Sequence, residues 1–213
     1  MTQSLPVGLT DTFVWSDQKG YGFHTRPAML YTGDYFEHYQ KLDNTKMGML
    51  LIRARLELVS KYTDTSRVVD IGIGGGRFVQ ESGGSGYDVC DSAAKWLKDA
   101  GKWVDPYAPG YDNSKFYIHA ATCWDSLEHI PSPEKLLEHV NDWLFVSLPV
   151  CDTQAEWLQS RHFKPAEHIH YWSTQGLIAW FAEQGFECVE MNRVESDLGR
   201  EGIMSFAFKR IAG

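Results

Sequence analysis

The run Asp70-Ile71-Gly72-Ile73-Gly74-Gly75-Gly76 places an acid and a cluster of glycines between a β-branched stretch and a helical one. Glycine permits a sharp turn and lets the backbone approach a ligand without a side chain in the way. A helix that starts there presents free N–H groups to an anionic group. Asp88 follows in the next strand-like segment, where a carboxylate can accept hydrogen bonds from ribose hydroxyls. A glycine loop with a strand-end acid is a signature of adenosine-type cofactor binding. No Gly-Lys-Ser/Thr follows the loop, which excludes a phosphate-binding P-loop. His129 and His170 lie near the ends of later strands and are candidate bases, since imidazole titrates near neutrality. His162 and His168 are expected to be exposed.

These residues need elements to hold them. RVVDIGI (67–73) reads as a buried strand, RFVQES (77–82) as a brief helix and YDV (87–89) as a second strand. A helix over 92–100 and a faint third strand over 102–105 follow, then a loop over 105–113 and a strand over 116–124. Ser132 and Pro133 open a helix expected to run to Trp143, ahead of a fifth strand over 144–149. Helices over 152–163 and 173–185 precede two closing strands, 186–194 and 203–210. Alternation of this kind implies an α/β fold of Rossmann-like type: a mainly parallel sheet, helices on both faces, the last strand antiparallel. In such sheets ligands bind beyond the carboxyl ends of the strands.

The first 34 residues show no clean period and read as irregular. A short helix is expected over 35–42, and an amphipathic one within 43–63 with Met47, Leu51, Ala54 and Leu58 as its apolar stripe. Asp43, Asn44 or Thr45 can cap it. Residues 1–62 are therefore expected to form an appendage packed on a domain of 63–213. Its aromatics Phe23, Tyr31, Tyr35, Phe36 and Tyr39 either form a lid over an acceptor or pack the appendage.

Composition bounds the function. The chain has 213 residues and a formal net charge of −8, so broad binding to polyanionic nucleic acid is disfavoured. The four cysteines form no CxxC pair and suit reduced thiols in a cytoplasmic setting. No apolar run is long enough for a membrane helix, and no signal peptide is visible at the N-terminus. Eight tryptophans, ten tyrosines and eleven phenylalanines exceed what a core needs and suit a pocket for a small organic ligand.

The spacing Gly72-x-Gly74-x-Gly76 after Asp70 departs from the dinucleotide pattern G-x-G-x-x-G. It resembles motif I of class I S-adenosylmethionine (SAM) dependent methyltransferases. The segments Asp125-Ser126-Leu127-Glu128-His129-Ile130-Pro131-Ser132-Pro133, Phe145-Val146-Ser147-Leu148-Pro149, Glu167-His168-Ile169-His170-Tyr171-Trp172-Ser173 and Gly185-Phe186-Glu187 resemble further blocks of that family, in the same order. The similarity covers roughly residues 67–210. It implies SAM as cofactor, with Asp70, Gly72, Gly74 and Gly76 at its methionine end and Asp88 with Val89 at the ribose. Asp105 is the candidate for the adenine amine, unless it is a turn aspartate. Trp124 is either a wall of the cofactor site or a core residue.

The implied activity is methyl transfer to a small-molecule or sugar-like acceptor through oxygen, with His129, His170 and Asp125 as catalytic candidates. The site is expected to hold no metal. The alternative is Mg²⁺, because Asp125-x-x-Glu128-His129 resembles the E-x-x-E-H metal motif of small-RNA 2′-O-methyltransferases and some quinone-pathway O-methyltransferases, with His170 completing the set. Methylation of a nucleic acid or modified nucleotide is the rival activity. A non-catalytic SAM-binding module and an NAD-dependent oxidoreductase are further alternatives, the last weakened by the glycine spacing.

Overall fold

A computed structural model describes residues 12–25, 34–107 and 118–211. Six strands form the main sheet: β3 (Val68–Ile71), β4 (Ser85–Tyr87), β5 (Ile118–Trp124), β6 (Val140–Pro149), β8 (Phe186–Asn192) and β9 (Ile203–Arg210). Their order is β4-β3-β5-β6-β9-β8. The first four are mutually parallel, and β9 runs antiparallel between β6 and β8. The Val-Val-Asp-Ile run of β3 is buried throughout, as a central parallel strand covered on both faces must be.

Side chains on β5 and β6 divide with period two. Ala121, Cys123, Leu144, Val146 and Leu148 face one layer with Leu136, Leu137, Leu177 and Phe181, from helices α5 (Pro133–Leu137) and α7 (Thr174–Glu183). Ala120, Trp124, Trp143 and Phe145 face the other, with Ile52, Leu58 and Val59 of α2 (Lys46–Ser60). The remaining helices are α1 (Asp34–Asp43), α3 (Arg77–Ser82), α4 (Asp91–Asp99), α6 (Gln154–Gln159) and α8 (Val194–Asp197). The expected Rossmann-like sheet, with helices around it and an antiparallel last strand, is present.

Several local expectations need correction. The leading segment is not wholly irregular: β1 (Phe13–Ser16) and β2 (Tyr21–His24) form a hairpin, and β2 pairs with β7 (His170–Trp172) in a second, three-stranded sheet. Pairing with a strand about 150 residues away leaves no local signal. The helix expected to reach Trp143 stops at Leu137, because residues 140–149 are claimed by pairing with β5 and β9 on both sides. The second strand lies at 85–87 rather than 87–89, which frees Asp88 to follow it. The third strand is reduced to one bridge, Trp103 to Gly86. Thr45 caps α2, its hydroxyl accepting from the N–H of Gly48. The expected stripe of α2 is met in part: Leu58 is buried and Met47 exposed, Ile52 and Val59 complete the buried face, and the Arg55 side chain is largely enclosed beside it. Tyr31, residues 108–113 and the start of the strand expected at 116 lie outside the described residues.

Candidate functional site

The glycine loop leaves the carboxyl end of β3 through Gly72, Gly74 and Gly76, at φ +77°, +56° and +83°. These left-handed values favour glycine. Asp88, just after β4, ties the loop down: its Oδ2 accepts from the N–H of Ile73 at 2.9 Å and its Oδ1 from the N–H of Cys90 at 2.8 Å. Asp70 is buried in β3, where the hydroxyl of Thr122 donates to Oδ1 at 2.6 Å. Burial pushes its carboxyl up to about 7 despite that bond and the Arg55 charge. Burial likewise raises Asp88. The geometry fits a cationic, hydroxyl-rich cofactor: a bare main chain at the turn, a buried carboxylate short of positive charge, and a second acid one strand away. Val89, beside Asp88, is 62% exposed. Asp105 Oδ1 accepts from the N–H of Tyr107 at 2.8 Å, the contact of a turn aspartate. Trp124 is buried under the Arg55 guanidinium and edge-on to Phe78, surroundings of a core residue.

Helix α1 lies directly on the loop. A Cβ at Gly75 would stand 2.6 Å from the backbone N of Gln40 and 2.4 Å from a carboxylate oxygen of Asp43. Tyr39 covers Gly74, and the Tyr35 ring lies tilted against that of Tyr39 with ring centres 4.6 Å apart. Phe36 is buried with Ile73 and Cys90, while Phe23 stacks on Tyr21 within the small sheet. The leading aromatics thus divide between the loop cover and the second sheet.

The turn after β5 adjoins the loop from the other side. Ser126 donates its hydroxyl to the carbonyl of Ile71, and its Cβ would meet a Cβ at Gly72 within 2.7 Å. Asp125, at φ +53°, is held by two arginines: Arg200 donates at 2.7 and 2.8 Å and Arg55 at 3.2 Å. Both arginines also grip Glu195, which is 1% exposed and accepts from Ser147 at 2.8 Å. Burial works to raise Asp125, yet Arg200 and Arg55 outweigh it and hold the carboxylate ionised. That arrangement makes Asp125 a structural anion and opposes its expected roles as catalytic group or metal ligand.

The histidines sort differently from expectation. His170 is buried with both ring nitrogens engaged, Nε2–H donating to the carbonyl of Ile130 at 2.9 Å and Nδ1 accepting from the hydroxyl of Tyr21 at 2.7 Å. It is therefore closed to base chemistry as the protein stands. His129 Nδ1–H donates to the carbonyl of Glu167 at 2.9 Å, which leaves the Nε2 lone pair free. Burial lowers its pKa, so the ring is neutral near pH 7. His168, expected at the surface, is buried and edge-on to His129 with ring centres 4.8 Å apart. Glu128, next to His129 in sequence and with a carboxylate oxygen within 4.8 Å of a ring nitrogen of each histidine, is buried and raised by desolvation and the Asp125 charge.

Residues 39–191 match the methyltransferase domain family. The chain belongs to that family. No curated protein matches it by sequence. Among solved structures, the SAM-dependent methyltransferase from Thermotoga maritima described as a possible histamine N-methyltransferase aligns at 16% identity and a TM-score of 0.58, over 83% of this chain and 96% of that one. A candidate methyltransferase from Haloferax volcanii, in complex with the Trm112 methyltransferase activator, aligns at 11% and 0.63 over 86% and 100%. The magnesium protoporphyrin IX methyltransferase of Synechocystis, with bound S-adenosylhomocysteine, aligns at 13% and 0.52 over 84% and 97%. These likenesses are of fold. The protein is a SAM-dependent methyltransferase.

Sequence reasoning missed four groups in this methyltransferase. Thr122 meets Asp70 because β3 and β5 are adjacent, with Asp70 opposite Thr122. Arg55 of α2 and Arg200 of the turn before β9 converge on Asp125, and Glu195 of α8 shares both arginines with it. Arg55 lies off the apolar stripe expected for α2, and nothing local marks it for burial.

Proposed function

We propose that the methyltransferase acts on a small-molecule or sugar-like acceptor through oxygen, at the carboxyl ends of β3 and β5. The observation carrying this reading is the free Nε2 of neutral His129, on the turn whose Ser126 touches the glycine loop. SAM supplies an electrophilic methyl group. Asp70, Gly72, Gly74 and Gly76 hold its methionine end, Asp88 accepts from the ribose hydroxyls, and Val89 is covered by the base. His129 faces the acceptor oxygen and takes its proton as the bond to carbon forms. His170 holds the turn through Ile130 and Tyr21, and Asp125 anchors it to Arg55 and Arg200. Residues up to 62 serve as a cover on the domain of 63–213, with Tyr35 and Tyr39 excluding water from the loop.

Net negative charge and an aromatic-rich chain favour a small acceptor over nucleic acid. Two of the fold neighbours carry small acceptors in their names, histamine and magnesium protoporphyrin IX. Among the described residues no helix is long and apolar enough to cross a membrane. The test is release of S-adenosylhomocysteine from SAM with a panel of hydroxyl, amine and oligonucleotide acceptors, read by mass spectrometry. Turnover with hydroxylated small molecules, lost in His129→Gln with SAM binding kept, is expected. Turnover confined to oligonucleotides or amines overturns the reading.

A further inference from the structure

Among the buried side-chain atoms without a hydrogen-bond partner, three fall together beside His129. Both carboxylate oxygens of Glu128 and Nδ1 of His168 are enclosed and make no hydrogen bond, in side chains only 1% and 5% exposed. An isolated buried carboxylate is costly unless a positive charge or a proton compensates it. The two arginines nearby are already committed to Asp125 and Glu195. The third member is His129, whose Nδ1–H is bound to the Glu167 carbonyl. A backbone carbonyl on one ring nitrogen fixes the tautomer and directs the other lone pair outward, as is usual for a histidine that ligates a metal. One donor atom from each of Glu128, His129 and His168 lies within 4.8 Å of the others. A tetrahedral ion with bonds of about 2.0–2.2 Å needs donors about 3.4 Å apart, so closing the set takes about an ångström of side-chain movement.

We propose that Glu128, His129 and His168 form a binding site for a borderline divalent transition-metal cation, Zn²⁺ being the probe. Two imidazoles and one carboxylate suit Zn²⁺, Mn²⁺ or Fe²⁺, whereas Mg²⁺ prefers an all-oxygen shell. The donor set differs from the one expected from sequence: Asp125 is neutralised by arginines and His170 is bonded at both nitrogens, while His168 takes a place not assigned to it. Three protein donors leave one tetrahedral position open to water or another oxygen ligand. The cation and the base role given to His129 above compete for the same Nε2, so the proposal rests on that reading of the turn and replaces proton abstraction by His129 with ligation.

The experiment titrates the purified full-length protein with Zn²⁺ by calorimetry and with Co²⁺ by visible absorption, against Mg²⁺ as control. Expected is one Zn²⁺ per chain, a Co²⁺ spectrum of four- or five-coordinate nitrogen and oxygen ligation, and no displacement by millimolar Mg²⁺. Glu128→Gln and His168→Asn each weaken binding by more than about 10-fold, the least that losing a ligand's hydrogen-bond support costs. His119→Gln, at the amino end of β5 and bonded to Thr63, binds like wild type. Where a ligand variant fails to fold, imidazole ¹⁵N shifts of the wild-type protein decide: the resonances of His129 and His168 must move with Zn²⁺. No uptake by the wild-type protein, uptake unchanged in folded ligand variants, or shifts confined to other histidines overturns the proposal. SAM binding, read separately by calorimetry, distinguishes failure of this site from failure of the cofactor reading. Turnover that needs His129 yet is indifferent to chelation and to Zn²⁺ keeps the base and removes the metal.

Discussion

Asp88 and Asp70 do different work although both are buried acids beside one loop. Asp88 is already charged-group acceptor for two backbone N–H groups, each charge-assisted bond being worth about 1.5–3 kcal/mol. Asp88→Ala is therefore expected to loosen the loop and weaken SAM binding by about 10- to 100-fold, measured by calorimetry. Asp70 is raised to about 7 by burial, well above an unfolded aspartate. Its stabilising effect is thus present when the group is protonated, below about pH 4, and is lost as pH rises through about 7. Thermal melts should show the stability of wild type relative to Asp70→Asn falling from pH 4 to pH 8. A bound cofactor ammonium should flatten that slope, and SAM affinity should rise with pH across the same window. A slope unaltered by SAM would mean that Asp70 does not meet the cofactor charge. These acids and glycines were legible in sequence because a loop between adjacent strand and helix is a local pattern. The histidines were not: which nitrogen is free depends on Glu167, Ile130 and Tyr21, partners brought from other elements.

Helix α1 reaches the glycine loop by backbone contact, so its position depends on a residue without a side chain. Gly75→Ala would set a methyl group 2.6 Å from the N of Gln40. Overpacking of this kind costs about 1–3 kcal/mol, and α1 should lift from the loop. The expected result is a melting temperature lower by several degrees, about 2–4 °C per kcal/mol, and weaker SAM binding. Retention of both would show that α1 is not a cover. The helices α1, α3, α4 and α7 were readable from periodicity and caps, for example Ser173 accepting from the N–H of Gly176. The elements misread were those whose state is chosen by neighbours. Residues 140–143 have an apolar spacing compatible with a helix, but they have open strand edges on either side. The β1–β2 hairpin is fixed by β7 and by close approach of Gly20 to Gly176, where a Cβ would lie 2.0 Å from the Gly20 carbonyl oxygen.

At the scale of the molecule, the quartet Arg55, Asp125, Glu195 and Arg200 joins α2, the β5 turn and α8 beneath the proposed acceptor region. Removing Arg55 leaves Glu195, 1% exposed, with Arg200 as a shared cation, so the loss is expected to exceed that of a surface pair and to stay below the about 3–5 kcal/mol of a buried pair broken outright. Arg55→Ala is expected to lower the urea midpoint strongly, whereas Arg53→Ala, which breaks an exposed pair with Glu57, should cost less than about 0.5 kcal/mol. Equal effects would show that the quartet contributes no more than a surface pair. High salt should weaken the Arg53 pair and leave the quartet largely unchanged.

By itself the sequence determined the strand–glycine–helix motif, the alternation that makes a Rossmann-like sheet, and the family to which the chain belongs, since each is written in short-range spacing. Only the tertiary structure decided which polar groups remain free. It closed His170, neutralised Asp125, buried His168 beside Glu128 and His129, and turned Arg55 inward. The physical reason is that hydrogen-bond and ion-pair partners are allotted by packing between distant segments, which no local pattern encodes.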